Sequence, residues 1–263
     1  MTGKVTFLEE PHVYLNEQNQ RYLSVTQLLD KFKNKFDPHT QALTSIANPK
    51  SKYFGMSYQD VRTQWDKAGE DARTRGTAFH KAKEDNHIQS ALSIPEKGFV
   101  GNPAMIIPEE DSNVMTDYTE LPDGIYSELI LWDHRWKLAG IADKIIIDGD
   151  YFDVEDYKTN KEIKTTSYYK KGEGYQMLQF PLNHLMDCHL VHYELQLGLY
   201  AYMFAKLSGK KPRKITILHH PTINGVITQE ETKYACTYRI SDIKMVLSMW
   251  GGFAPVDYVV KSN

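Results

Sequence analysis

Asp143, Asp156 and Lys158 lie inside LAGIADKIIIDGDYFDVEDYKTNK, residues 138–161, a stretch otherwise built like a buried β-hairpin around an Asp148-Gly149 turn signal. Side chains two apart on a strand share a face, so Asp156 and Lys158 point the same way and Tyr157 the other. A turn confined to Asp148 and Gly149 sets Asp143 opposite Val154, and a four-residue turn through Tyr151 sets it opposite Asp156. Both registers put Asp143 on the Asp156 face, whereas an odd-length loop would reverse it. Two carboxylates on one face repel each other, and a hard divalent cation relieves the repulsion with oxygen ligands, waters and substrate phosphate. Glu128, on the preceding strand, adds a third acidic oxygen. Lys158 then serves to orient an attacking water or to stabilise charge developing on phosphorus. The plainer alternative is a surface hairpin closed by an Asp–Lys salt bridge. The triplet Ile145, Ile146, Ile147 argues against it, because it implies burial on both faces beside the acids.

Several elements must position these groups. Residues 4–25 alternate apolar and polar positions around turns, as short antiparallel strands do. Ser24 with Gln27 forms a capping-box pattern opening a helix over VTQLLDKFKNKF, and a second helix spans about 58–86 with a break expected near Gly69 or Gly76. Residues 93–124, rich in Pro, Gly, Asp and Asn, read as an irregular insertion, a lid or an arch. YSELILWDHRWKLAGIADKIIIDGDYFDVEDYKT reads as three consecutive strands with breaks at His134-Arg135 and Asp148-Gly149. MLQFPLNHLMDCHL and VHYELQLGLYAYMFAKL both read as buried helices, RKITILHH as a strand, and ISDIKMVLSMW as a late helix capped by Ser241. Together these predict one α/β domain over 1–263, a central mixed β-sheet flanked by α-helices, with an N-terminal extension over about 1–55.

Composition narrows the function. The chain of 263 residues carries 31 basic and 34 acidic side chains, net charge −3, so it lacks the basicity of a protein that coats nucleic acid. Local basic clusters remain: KTNKEIKTTSYYKK, with Lys161, Lys164, Lys170 and Lys171 around Tyr168 and Tyr169, and GKKPRK, residues 209–214. Basic groups track phosphates and aromatic rings stack on bases, so the first cluster is a candidate strand grip. Two cysteines, Cys188 and Cys236, cannot hold an iron–sulfur cluster and point to a reducing, intracellular setting. Nothing reads as a membrane span or signal peptide, so a cytoplasmic location without membrane contact is expected. A zinc site from His184, Cys188 and His192 at helical spacing is disfavoured, since three ligands along one helix cannot converge on one ion.

The ordered set RGTAFH, SEL, GIAD, DYKT and QLGLY, residues 75–200, resembles the RecB-like branch of the PD-(D/E)XK nuclease superfamily, which includes phage exonucleases and the mitochondrial genome maintenance exonuclease. The resemblance implies a restriction-endonuclease-like core with an antiparallel catalytic hairpin. It assigns His80, Glu128, Asp143, Asp156 and the Tyr157 carbonyl to one or two Mg2+ or Mn2+ ions, and the catalytic lysine to Lys158; Asp133 lies near enough in sequence to compete with Glu128. Gln196 and Tyr200 match a Gln–Tyr helical motif that orients the site and contacts DNA, and being four apart they share a helix face. The superfamily's proline is absent, Ala142 standing before Asp143. The expected activity is hydrolysis of DNA, single- or double-stranded, to leave 5′ phosphates, in recombination, repair or replication of cellular or phage DNA. Exonuclease is favoured over endonuclease, since no separate sequence-reading module is present. No phosphate loop GxxxxGK[ST] occurs, so any helicase or recombinase would be a separate partner. Competing readings are a non-cleaving nucleic-acid binder on the same fold and an RNA-directed phosphodiesterase.

Overall fold

The computed structural model describes residues 3–9, 11–93 and 118–251, so most of the expected insertion, residues 94–117, lies outside the described residues. The strands are β1 Val5–Leu8, β2 Val13–Asn16, β3 Arg21–Ser24, β4 Gly124–Asp133, β5 Leu138–Asp148, β6 Tyr151–Lys158, β7 Tyr169–Lys170, β8 Gly174–Tyr175, β9 Lys211–His219, β10 Thr222–Ile223, β11 Val226–Ile227 and β12 Thr232–Ala235. The helices are α1 Val25–Leu29, α2 Pro38–Ala47, α3 Tyr58–Ser93, α4 His189–Ser208 and α5 Ile240–Gly251.

An eight-stranded mixed sheet in the order β1-β2-β3-β5-β6-β9-β12 forms the centre, with β4 on the other edge of β5. β4, β5 and β6 make the expected antiparallel meander, β6 and β9 run parallel, and β3 joins the start of β5 in parallel. The protein is thus α/β, with helices flanking a sheet of parallel and antiparallel strands. The N-terminal strands and α1 belong to this body: Val25 and Leu28 are wholly buried in the main core. Among the described residues no helix is long and apolar enough to cross a membrane.

Burial explains the layering. α4 is apolar nearly all round and lays Leu195, Leu199, Met203 and Phe204 into the main core with Phe152 and Val154 of β6; the Phe152 and Phe204 rings meet edge-on at 4.7 Å. α5 covers α4 through Ile243, Val246 and Leu247. A smaller cluster, Val5, Tyr14, Tyr22 and Ala139, gathers Phe7, Ile130, Trp132 and Ile141 around it.

Some expectations needed correcting. The capping box at Ser24 and Gln27 is present, but the helix it opens ends at Leu29. Asn34 then ties the chain elsewhere, its amide donating to the Met177 carbonyl at 2.7 Å. α3 runs through Gly69 and Gly76 unbroken, because a glycine costs a long helix only about 1 kcal/mol. MLQFPLNHLMDCHL is irregular up to Cys188, its last two residues opening α4: Pro181 offers no amide hydrogen, and Leu178, Leu182 and Leu185 are buried from loop backbone. Ser241 lies inside α5, which starts at Ile240.

Candidate metal centre

The β5–β6 turn decides the geometry. Asp148 pairs with Tyr151 and Lys144 with Glu155, so the four-residue turn is the one adopted, and one further step of that register sets Asp143 against Asp156. Gly149 takes φ 57° there, a conformation open to glycine at no steric cost. On the other edge, Ser127 pairs with Lys144 and Leu129 with Ala142, which sets Glu128 against Asp143. The three acidic residues therefore occupy neighbouring register positions on three strands.

The pleat itself is interrupted at this point. On β5 the main core takes Leu138 and Ala142 but then Ile145 and Ile147, and on β4 it takes Leu131 and Leu129 but then Tyr126. The alternation slips by one residue in both strands together, at Asp143 and Glu128. Glu128 has φ 51°, a left-handed backbone that a side chain with a Cβ adopts at a cost of about 1–2 kcal/mol. The slip turns both carboxylates away from the apolar interior without disturbing the strand register.

α3 brings the fourth group. Phe79 and His80 pack around the Tyr157 ring, with centroids 6.0 and 6.2 Å away, on the face opposite Asp156 and Lys158. His80 Nδ1 stands 3.2 Å from Asp143 Oδ2, and the Tyr157 N–H donates to the same oxygen at 2.8 Å. Ligand atoms of His80, Glu128 and Asp143 all lie within 4.8 Å of one another, the one such trio of potential metal ligands among the described residues. Asp156, 1% exposed, is turned to Lys158, whose ammonium contacts its Oδ2. The slip thus takes Asp143 out of the simple shared face with Asp156 that unbroken alternation predicts and brings it to His80, while Asp156 holds the lysine rather than joining the trio.

Electrostatics follow from this crowding. Burial, then the Asp143 charge, pushes the Glu128 carboxyl up to about 7. Burial and Asp143 likewise push Asp156 up to about 6, against the pull of Lys158. Burial opposes ionisation of Asp143 too, but the His80 hydrogen bond and charge outweigh it and hold Asp143 below its ordinary value. Burial disfavours protonation of His80, yet the Asp143 hydrogen bond and charge raise it overall. Lys158 is raised as well, the Asp156 and Asp143 charges overcoming burial. A divalent cation would offset the repulsion among these carboxylates and favour their ionised forms despite burial, and one imidazole nitrogen with carboxylate oxygens suits such an ion.

α4 closes the other side. Gln196 Nε2 donates to Tyr200 Oη at 3.1 Å, so the expected pair shares one face, and Tyr200 is buried against Gly140, where an added Cβ would meet Tyr200 Cε1 at 2.6 Å. Tyr193, one turn earlier, places its ring 5.0 Å from Lys158 Nζ. Sequence reasoning missed Tyr193, although it lies three residues before Gln196 on the same face. It also missed Glu84, one turn after His80, whose charge adds to the upward push on Glu128. Asp133, the alternative to Glu128, lies at the far end of β4 and is engaged by Lys206 at 2.6 Å.

The remaining groups lie apart. Lys161, Lys164, Tyr168, Tyr169, Lys170 and Lys171 are exposed on the segment between β6 and α4, with Lys170 paired to Glu173 at 2.5 Å. GKKPRK lies at the turn end of the hairpin, where Arg213 pairs with Asp148 at 2.6 Å and Asp153 at 2.9 Å, far from Lys158. His184, Cys188 and His192 do not share a helix: Cys188 stands at the N-terminal boundary of α4 without a side-chain capping bond, His192 pairs with Asp187 at 2.6 Å, and His184 pairs with Asp242 at 2.9 Å. No family model matches the chain, and no curated protein or solved structure matches it.

Proposed function

We propose that the chain is a divalent-metal-dependent DNA nuclease with a restriction-endonuclease-like core, acting as an exonuclease that leaves 5′ phosphates. The observation that carries this reading is the convergence of His80, Glu128 and Asp143 within 4.8 Å, beside a buried lysine that has an acid of its own. A non-cleaving binder gains nothing from like charges held next to phosphate. His80, Glu128 and Asp143 would hold Mg2+ or Mn2+, with Asp156 and the Tyr157 carbonyl at its border. The ion supplies a Lewis acid and the countercharge that lets phosphate approach the acids. Asp156 fixes the Lys158 ammonium, which donates hydrogen bonds to the attacking water and to the phosphoryl oxygens as charge develops on them. His80 keeps Asp143 ionised and oriented. Tyr193 shields Lys158 from solvent, and the Gln196–Tyr200 pair packs behind it. The exposed segment with Tyr168, Tyr169 and its lysines offers phosphate contacts and stacking faces to the incoming strand.

The test is digestion of end-labelled single- and double-stranded DNA and matched RNA by wild type and Lys158→Ala, with Mg2+, Mn2+ or EDTA. The expected result is metal-dependent cleavage of DNA, reduced about 10²–10³-fold in the folded variant. DNA binding without cleavage in either metal would leave a nucleic-acid-binding protein, and preferential cleavage of RNA would change the substrate.

A further inference from the structure

A cavity of about 490 Å3 opens between residues 34–37, residues 164–168 and the first turn of α4, within the size range of small-molecule sites. Two of its lining rings, Phe36 and Tyr168, are 68% and 71% exposed, although large apolar rings are usually covered. Between them Ser167 is 9% exposed, and its hydroxyl has no hydrogen-bond partner among the described residues. Ser167 therefore closes the wall between the two ring-bearing segments rather than offering its hydroxyl to the cavity.

The walls are already fixed. The Asn34 backbone N–H and Nδ2 donate to Asp187 Oδ2 at 2.9 and 2.7 Å, and the Gln176 N–H donates to the Tyr168 carbonyl at 2.9 Å. The two acids that line the cavity have partners: Asp187 also meets His192 Nε2 at 2.6 Å, and Asp37 caps α2 by accepting from the His39 N–H at 3.0 Å. The lysines are freer, Lys164 lying 3.8 Å from an exposed Glu162. One ring links the cavity to the lysine of the site: the His189 ring is 6.2 Å from Tyr193, which packs on Lys158.

Two aromatic faces, the side chain of Gln176 and the lysines Lys35 and Lys164 match the parts of one nucleotide. We infer that this cavity seats a single unstacked nucleotide of the DNA strand beside the bond to be cut. Resting on the nuclease reading, this makes the substrate single-stranded or frayed there, because a base inside a duplex must leave the stack to enter a pocket.

The test uses the whole chain in EDTA, where nothing is cut, with short single-stranded oligodeoxynucleotides carrying 2-aminopurine at successive positions. The expected result is a fluorescence change on binding at one position only. Tyr168→Ala should abolish it and weaken binding about 5- to 100-fold, and Lys164→Ala should weaken binding without moving the responding position. Tyr168 and Lys164 are exposed, so both variants should keep the wild-type melting temperature. A signal equal at all positions, a position-specific signal that survives Tyr168→Ala, or no binding at all overturns the subsite. Cleavage by the wild type, measured in parallel, separates the two readings. Cutting with a position-independent signal removes the subsite and keeps the nuclease, whereas a Tyr168-dependent signal without cutting keeps the subsite and removes the nuclease.

Discussion

Glu194 on α4 and Asp156 on β6 are about equally buried, at 3% and 1% exposure, but their surroundings are built in opposite ways. Glu194 accepts from Arg239 Nε at 2.6 Å and from the Thr237 N–H at 2.9 Å, so its charge is met by complementary donors. Asp156 shares its one lysine with a site in which Asp143 and Glu128 stand opposite each other, and its carboxyl is pushed up to about 6. The first arrangement completes itself and holds α4 to the segment before α5. The second is short of positive charge, and the shortfall belongs to whatever binds there. A buried charge is therefore informative only through its partners.

The contrast can be broken most forcefully at Arg239. Arg239→Ala leaves Glu194 buried without its countercharge and should cost about 3–5 kcal/mol, lowering the melting temperature by about 6–20 °C. A loss under about 1 kcal/mol by calorimetry would mean that the two regions do not differ as described. Next in size is the metal: Mg2+ or Mn2+ at about a hundred times Kd should add about 2.7 kcal/mol to wild-type stability, and Glu128→Gln should remove most of that gain. Equal protection of both proteins would take Glu128 out of the ligand set. Gly140→Ala should cost about 1–3 kcal/mol, because its Cβ would have to displace the Tyr200 ring, and cleavage should fall with it. Unchanged melting and turnover would show that Tyr200 yields freely.

The pH dependence sharpens the comparison further. A carboxyl raised above its unfolded value destabilises the fold while it must ionise, and that penalty is relieved progressively as pH falls from its folded pKa towards its unfolded one. Glu128 at about 7 and Asp156 at about 6 should therefore make the protein more stable in chelator as pH falls from about 8 to about 5. His80, raised by Asp143, acts in the same direction, since its contribution is lost as pH rises through its folded pKa. Asp143, held low, gives way only at more acid pH. The gain should appear as a rise in melting temperature towards pH 5, and bound metal should flatten it. A melting temperature that falls steadily from pH 8 in EDTA would contradict this. Smallest of all, Asp156→Asn should shift stability in chelator by less than about 1 kcal/mol, because repulsion from Asp143 is lost along with the lysine pair. A large loss would restore the plain salt-bridge reading of the hairpin.

Much of the scaffold was legible because it rests on local rules. Period-two alternation and the Asp148-Gly149 turn specify the β4–β5–β6 meander, and the four-residue turn was one of two registers that fit. Elements held by distant contacts were not legible. The helix after Ser24 is cut short where Asn34 bonds to residues more than 140 positions away, and the apolar run before α4 is buried as loop. In the site, shared faces brought Asp143, Asp156 and Lys158 together on paper, and family motifs added His80, Gln196 and Tyr200. The simultaneous phase slip at Glu128 and Asp143 has no signature in a pattern read one strand at a time. It depends on a backbone conformation at Glu128 that no residue type there demands.

The contact between Phe36 and Trp65, with ring centroids 6.0 Å apart, gives the cavity an optical reporter of its own. The other three of the four tryptophans, Trp132, Trp136 and Trp250, pack in or against the main core. Emission that responds to a ring stacking on Phe36 would therefore come from Trp65, and a Trp65→Phe control would identify it. The native chain can report occupancy of the cavity without any dye attached.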